Sequence, residues 1–512
     1  MEGQYPLYRK IGLVAGLILF AALLSAPTPE GMTPEARKAA AVAALMATWW
    51  ITEALPIAAT SLLPIALYPL LGVLSGPDTT KAYGDSNIFL FAGGFFIAMA
   101  MQKWNLHERI ALAIISRTGT NPSRLVLGFM LGTGFVSMWM SNTATAVMML
   151  PIAVAIISQM EKREYPGVQN FATALLLSIA YAASIGGMGT PIGTPPNGIL
   201  LTNYVGRYPD APPVTFVQWM MVGVPIVFIM LPLTWLLLTR VLFNFKAVSF
   251  PAAREEIRGR LADLGRMGRG EIIVLSVWAL TALAWIFRED LALGAFTIPG
   301  WTTLLLAEPK WVNDGTIAIV GALLLFVIPV NLRKGEFALD WDWAKRIPWE
   351  VLLLFGGGLA MAEAFRSTGL VEWVGDKFTM LEGVPPLLIV LIVSTLLAFS
   401  GEVTSNTATA AIMMPILAAL APEIGIHPLL LMFPAGMAIS CGFMLPAATP
   451  PNAIVFGAGR ISVPQMARAG FLVDLLGVLV VTAMMYLIGV HVFGIEPGVM
   501  PEWATIAPPA TP

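Results

Sequence analysis

The chain has 512 residues, 57% of them hydrophobic and only 12% charged, with a formal net charge of −2 and a mean hydropathy of +0.78. A soluble domain carries roughly 25% charged residues, so this composition excludes a soluble enzyme and points to one polytopic membrane domain with short connections. One cysteine, Cys441, permits no internal disulfide, and three histidines, His107, His427 and His491, are too few and too scattered for a metal cage, so redox and metal catalysis lose their support.

Apolar stretches of about 20 residues, each able to cross a hydrocarbon core roughly 30 Å thick, recur along the whole chain. The first, from Ile11 to Leu24, follows Arg9 and Lys10 and reads as a membrane span rather than a signal peptide, because no small-residue cleavage site follows it. Segments near 36–51, 56–74 and 87–104 come next. His107-Glu108-Arg109 then begins like a zinc-protease helix but lacks the second histidine, and residues 106–118 read instead as an amphipathic helix at the membrane face. A matching stretch is expected near 370–380.

Segment 122–159 is too long for one crossing and is interrupted by Ser141-Asn142-Thr143, so it is predicted to be a re-entrant helical hairpin. Non-helical backbone at membrane depth survives only where it is buried or lines a wet cavity, and the polar tip therefore marks a cavity. Segment 170–205 carries Gly193-Thr194-Pro195-Pro196-Asn197, where the proline pair must interrupt helical bonding. After a segment at 215–244, residues 247–270 are charged and Arg-rich and read as a solvated cytoplasmic linker. Segments at 271–288, 315–330 and 350–365 follow. A second hairpin at 386–420 is interrupted by Ser405-Asn406-Thr407, a second broken helix at 428–457 carries Ala448-Thr449-Pro450-Pro451-Asn452, and a last segment covers 468–494. Glu53 and Glu402 are the acidic residues nearest the apolar segments and are candidates for coupling; Asp474 is expected at the interface.

The interruptions repeat. Ser-Asn-Thr-Ala-Thr-Ala at 141–146 returns 264 positions later at 405–410, and the same offset superposes Gly93-Gly94 on Gly357-Gly358; Thr-Pro-Pro-Asn at 194–197 returns 255 positions later at 449–452. The expected organisation is an N-terminal segment with the first span (1–35), a first repeat (36–246), the linker (247–270), a second repeat (271–494) and an extracytoplasmic tail (495–512). Basic residues concentrate on one side, including Lys246, Arg254, Arg258, Arg260, Arg266 and Arg269, which places the N-terminus in the cytoplasm. The resulting fold class is an all-α polytopic membrane protein with about eleven transmembrane helices plus two re-entrant hairpins, its two repeats inverted because each has an odd number of spans.

Inversion would bring both tips and both broken turns together near the midplane, the expected place for a substrate. Asn142, Thr143, Asn406 and Thr407 can donate hydrogen bonds to carboxylate oxygens, and half-helix N-termini suit an anion. Neither tip nor broken turn contains Lys or Arg, so a bound dianion needs a companion cation. Hydroxyl, amide and freed backbone oxygens are hard ligands that suit sodium. Isolated Ser, Asn and Thr in membrane helices are often interhelical glue; duplication in register favours the functional reading.

These hairpins and Thr-Pro turns, together with the runs Trp50–Pro56 and Met444–Gly457, resemble the divalent anion/sodium symporter family over nearly the whole chain after the first span. The resemblance implies a scaffold domain that mediates homodimerisation, a transport domain that moves as an elevator, and C4-dicarboxylates, citrate or sulfate as substrates. It implies a first sodium site at Ser137, Ser141, Asn142 and backbone near Gly193, and a second at Ser405, Asn406 and backbone near Gly401 and Ala448. It implies substrate lining by Asn142, Thr143, Asn406, Thr407, Thr194, Pro195, Thr449 and Pro450. The expected activity is sodium-coupled symport of succinate, fumarate, malate or citrate in the inner (plasma) membrane, with sodium-independent anion exchange as the alternative. A membrane-embedded enzyme and a channel are remoter readings, no cofactor is expected beyond sodium as coupling ion, and nucleic acid is not an expected partner.

Overall fold

A computed structural model describes residues 6–119, 121–164, 167–245, 251–293, 296–375, 383–496 and 498–504. Helices dominate, and strand is confined among these residues to two small antiparallel pairs, Leu291–Leu293 with Phe296–Ile298 and Pro329–Asn331 with Glu336–Phe337. Among the described residues eight helices are long and apolar enough to cross a membrane, and shorter apolar helices cover Ile57–Leu71, Asp314–Val327, Pro386–Ser400 and Pro428–Ile439.

The helices break at both Ser-Asn-Thr tips. The first has arms Pro122–Ser137 and Asn142–Lys162, and the second has arms Pro386–Ser400 and Asn406–Glu423. Both broken helices form too, as Val168–Gly187 followed by Pro195–Arg207, and as Pro428–Ile439 followed by Pro450–Phe456. Each second piece has its Pro pair at the first helical positions and an extended Thr before it, Thr194 at φ −147° and Thr449 at φ −139°. Proline is preorganised for that position and its missing N–H would be unpaired there anyway.

The leading pieces of the broken helices are the centre of the molecule. Every residue from Phe171 to Gly187 is buried, and so is every residue of Pro428–Ile439. A helix apolar all round has to be wrapped by others. The outer helices instead show Leu and Phe to the surroundings, among them Phe228, Leu280, Leu323, Leu396 and Leu479, as expected where hydrocarbon is the solvent. The first helix, Leu7–Ser25, lies at the edge and packs on Pro34–Thr52.

Packing crosses between the halves. The returning arm of the first hairpin lies against Pro450–Phe456, and that of the second lies against Pro195–Arg207. Arg460 clasps Glu161 through two bonds, at 2.7 and 3.1 Å, tying the end of the first hairpin to the loop after Pro450–Phe456.

Two sequence expectations need correction. The linker is no bare connector: Pro251–Asp263 is a helix packed on Leu106–Ser116 and on the first hairpin, with Ala253 and Ile257 buried, Glu256 accepting from Gln159 at 3.0 Å and Arg109 pairing with Glu271 at 2.6 Å. Two apolar residues one helical turn apart suffice to dock an otherwise charged helix. Asp474 is not interfacial, since Val463–Met484 buries it completely. Parts of the expected linker (247–250), of the 370–380 stretch (376–380) and of the tail (497 and 505–512) lie outside the described residues.

Candidate ion and anion site

The first tip is built by the end of one arm meeting the start of the next. Ser141 caps the returning arm, its hydroxyl accepting from the Ala144 N–H at 3.2 Å. Behind it, the Ser137 hydroxyl lies 2.7 Å from Asn142 Oδ1 and 2.7 Å from the Ala183 carbonyl. A hydroxyl has a single hydrogen, so three oxygens crowd around one proton and the cluster lacks positive charge. The point where a Cβ on Gly187 would sit is 2.6 Å from Asn142 Oδ1 and 3.2 Å from the Gly193 carbonyl. Ser137, Asn142 and Gly193 thus lie close together, with Ala183 and Gly187, which the sequence did not point to, beside them.

The second tip has the same plan with one group missing. Gly401 stands where the first tip has Ser137, and Asn406 Oδ1 is buried with no hydrogen-bond donor. The position of an added Cβ on Gly401 is 2.7 Å from that oxygen and 3.3 Å from the Ala398 and Ile439 carbonyls. Ala448 and Thr449 lie near Gly442 on the far side, 3.5 Å from its Cβ position. An orphaned buried amide oxygen costs free energy unless something cationic or protic meets it. Ser405 precedes its helix without a side-chain cap bond.

The broken turns are held by matching bonds. Asn197 Nδ2 donates to the carbonyls of Gly187 and Thr190 at 2.9 and 2.8 Å; Asn452 Nδ2 donates to those of Gly442 and Leu445, both at 3.0 Å. Each partner in the second turn is 255 positions after its counterpart in the first. The sequence placed both asparagines in the Thr-Pro-Pro-Asn motif, and the structure shows them fixing the carbonyl directions of the break.

Of the residues expected to line substrate, Thr143 is exposed and Thr194 and Thr449 are buried at the broken turns, each just before its proline, Pro195 or Pro450. Thr407 opens on a cavity of about 480 Å³ whose wall also includes Arg9, Glu53, Pro56, Glu350 and Leu354. Glu53 sits in the left-handed region at φ 46° and is paired with Arg9 at 2.5 Å. No hydrogen bond joins the two tips directly among the described residues. His107 is buried with Nδ1 3.1 Å from the Met101 carbonyl, and no group of three or more potential metal-ligating His, Cys, Asp and Glu occurs among the described residues.

The family described as the sodium:sulfate symporter transmembrane region matches residues 8–494. A sodium-dependent dicarboxylate transporter, SdcS, of Staphylococcus saprophyticus is 44% identical over 499 residues, covering 96% of this chain and 94% of the relative. The SdcS of a bovine Staphylococcus aureus strain is 44% identical over 492 residues, covering 95% and 92%. Among solved structures, the Alcanivorax borkumensis YdaH transporter superposes with a TM-score of 0.55 at 14% identity over 94% of this chain and 97% of that one. Neisseria gonorrhoeae MtrF does so with 0.55 at 12% identity over 98% and 96%. At such identities these two support the fold alone.

Proposed function

As the chain belongs to the sodium:sulfate symporter transmembrane family, a family of membrane transporters rather than enzymes, we propose that it is a secondary active transporter carrying a C4-dicarboxylate such as succinate, fumarate or malate, or citrate, together with sodium. The observation that carries this reading is the pair of oxygen clusters at equivalent turns, Ser137–Asn142–Ala183 and Asn406–Ala398–Ile439, neither with a basic side chain in contact. Oxygen-only shells are what hard monovalent cations take. The SdcS relatives are sodium-dependent dicarboxylate transporters by name, which favours a dicarboxylate over sulfate.

In this reading the first sodium meets Ser137, Asn142 and backbone near Gly193, with Ser141 at its rim and the Ala183 carbonyl added to the shell. The second meets Asn406 and backbone near Gly401 and Ala448, with Ser405 beside it. The anion lies between the tips, in reach of Asn142, Thr143, Asn406 and Thr407, and of Thr194, Pro195, Thr449 and Pro450 at the broken turns. Sodium supplies the positive charge that these residues lack, so each ligand helps bind the other. The Thr407 cavity gives the second tip a route to the side that carries Arg9 and Glu350, which positive-inside placement makes cytoplasmic. About eleven spans with the two hairpins, inverted repeats, elevator movement against a dimeric scaffold and an extracytoplasmic C-terminus complete the proposal.

The test is uptake of labelled succinate into proteoliposomes under an inward sodium gradient or with choline, each with and without succinate preloaded inside. Sodium-dependent accumulation is the expected result. Uptake that ignores sodium and needs internal anion would replace symport by exchange.

A further inference from the structure

The two halves share their local construction, and at one place they part. In the first half the hairpin tip is tied to its broken turn by the Thr190 hydroxyl donating to the Met138 carbonyl. Counting by the same offsets, Met138 corresponds to Glu402 and Thr190 to Leu445. Here the Glu402 carboxylate makes the tie: its two oxygens accept from the consecutive backbone N–H groups of Met444 and Leu445, each at 2.9 Å.

The helices behind the turns differ in the same way. Phe216–Leu236 and Val463–Met484 both begin with a capping box, at Thr215 and Ser462, and both press a glycine on the turn, Gly223 on Met188 and Gly470 on Phe443. Twelve residues after the cap, the first has buried Val227 and the second has Asp474. Asp474 is wholly buried beside Glu402 and the Phe443 backbone, and no donor makes a well-formed hydrogen bond to either of its oxygens. The ionisable groups facing the pair are Tyr181, whose hydroxyl donates to the Met466 carbonyl, and Cys441, whose thiol faces the Met437 carbonyl.

Since Met138, Thr190 and Val227 build the same turn without charge, two carboxyl groups are not needed for the fold. Burying them at membrane depth is costly, and such groups persist where they serve function. Glu402 already holds two N–H donors, one on each carboxylate oxygen.

That clamp stands one residue from Gly401, where the second tip lacks the hydroxyl that Ser137 offers to the first. We propose that Glu402, braced by Asp474, is the positioning residue of the second cation site: it clamps the 442–449 turn against the hairpin tip and compensates for the missing ligand. The inference rests on the sodium-symport reading.

The experiment measures sodium activation of succinate uptake in proteoliposomes, with sodium-dependent thermal stabilisation of the purified protein as a second readout. Glu402→Gln keeps the shape but offers an N–H to a backbone N–H, and it raises the half-activating sodium concentration about tenfold while the succinate KM at saturating sodium changes less than about twofold. Asp474→Leu, which removes the buried acid beside Glu402, raises it about threefold. Unchanged sodium activation in Glu402→Gln, or in Asp474→Leu should the first variant fail to fold, overturns the inference. So does a loss of maximal rate at unaltered sodium affinity. Absence of sodium dependence in the wild type would instead sink the symport reading itself.

Discussion

Gly187 and Gly442 occupy equivalent positions 255 residues apart, yet replacing each by alanine should have opposite outcomes. A methyl on Gly187 would lie 2.6 Å from Asn142 Oδ1, 3.2 Å from its Nδ2 and 3.2 Å from the Gly193 carbonyl. To regain an ordinary contact of 3.4 Å, the amide must retreat by about 0.8 Å, and the buried wall around it leaves little room. Overpacking of this kind costs about 1–3 kcal/mol, and loosening the Ser137–Asn142 hydrogen bond adds about 1 kcal/mol. If the displaced oxygen is a sodium ligand, about 1.4 kcal/mol already weakens binding tenfold. A methyl on Gly442 meets nothing closer than 3.5 Å, so Gly442→Ala should be tolerated. The assay is the sodium dependence of succinate uptake, with monodispersity checked by size exclusion: at least a tenfold rise is expected for Gly187→Ala and less than twofold for Gly442→Ala. Equal behaviour of the two variants would refute the assignment of Asn142 to the ion site.

Asn142→Ala and Asn406→Ala should each abolish uptake while the protein still inserts and elutes as a single species; wild-type uptake in either would remove that residue from the site. Asn197→Leu deletes both bonds that hold the first break and strands two buried carbonyls, a loss of about 2–4 kcal/mol that a drop in melting temperature in detergent should report. Arg460→Glu should destabilise the protein by setting like charges together, and the exchange Arg460→Glu with Glu161→Arg should restore most of the loss, about 1 kcal/mol for a half-exposed pair. Failure of the double exchange to recover stability would show that the clasp between the halves depends on more than its charge.

The breaks in this fold were legible because each is written locally. Ser-Asn-Thr inside a long apolar run and Pro-Pro after Thr leave the backbone no other course in a hydrocarbon environment, and the structure interrupts its helices at 138–141, 188–194, 401–405 and 440–449. Gly193 and Gly401 lie in those interruptions, and Asn142 and Asn406 open the helices that follow them. The 247–270 segment misled because its charges outnumber the two apolar residues that dock it, and because a docking helix depends on the surface it meets. Asp474 misled for a related reason: one acid near the start of an apolar helix reads as interfacial unless the depth and the facing residue are known.

Composition and pattern by themselves determined that this is a helical membrane protein whose polar interruptions and proline pairs occur twice in the same order, since burial in hydrocarbon, proline breaks and polar interruptions act over a few residues. Only the tertiary structure decided which backbone carbonyls turn toward the tips, that Ala183 and Ile439 stand beside Asn142 and Asn406, and that Glu402 meets Asp474. A carbonyl is present at every position and has no sequence signature, and two acids 72 positions apart become neighbours only when separate helices pack on the same turn.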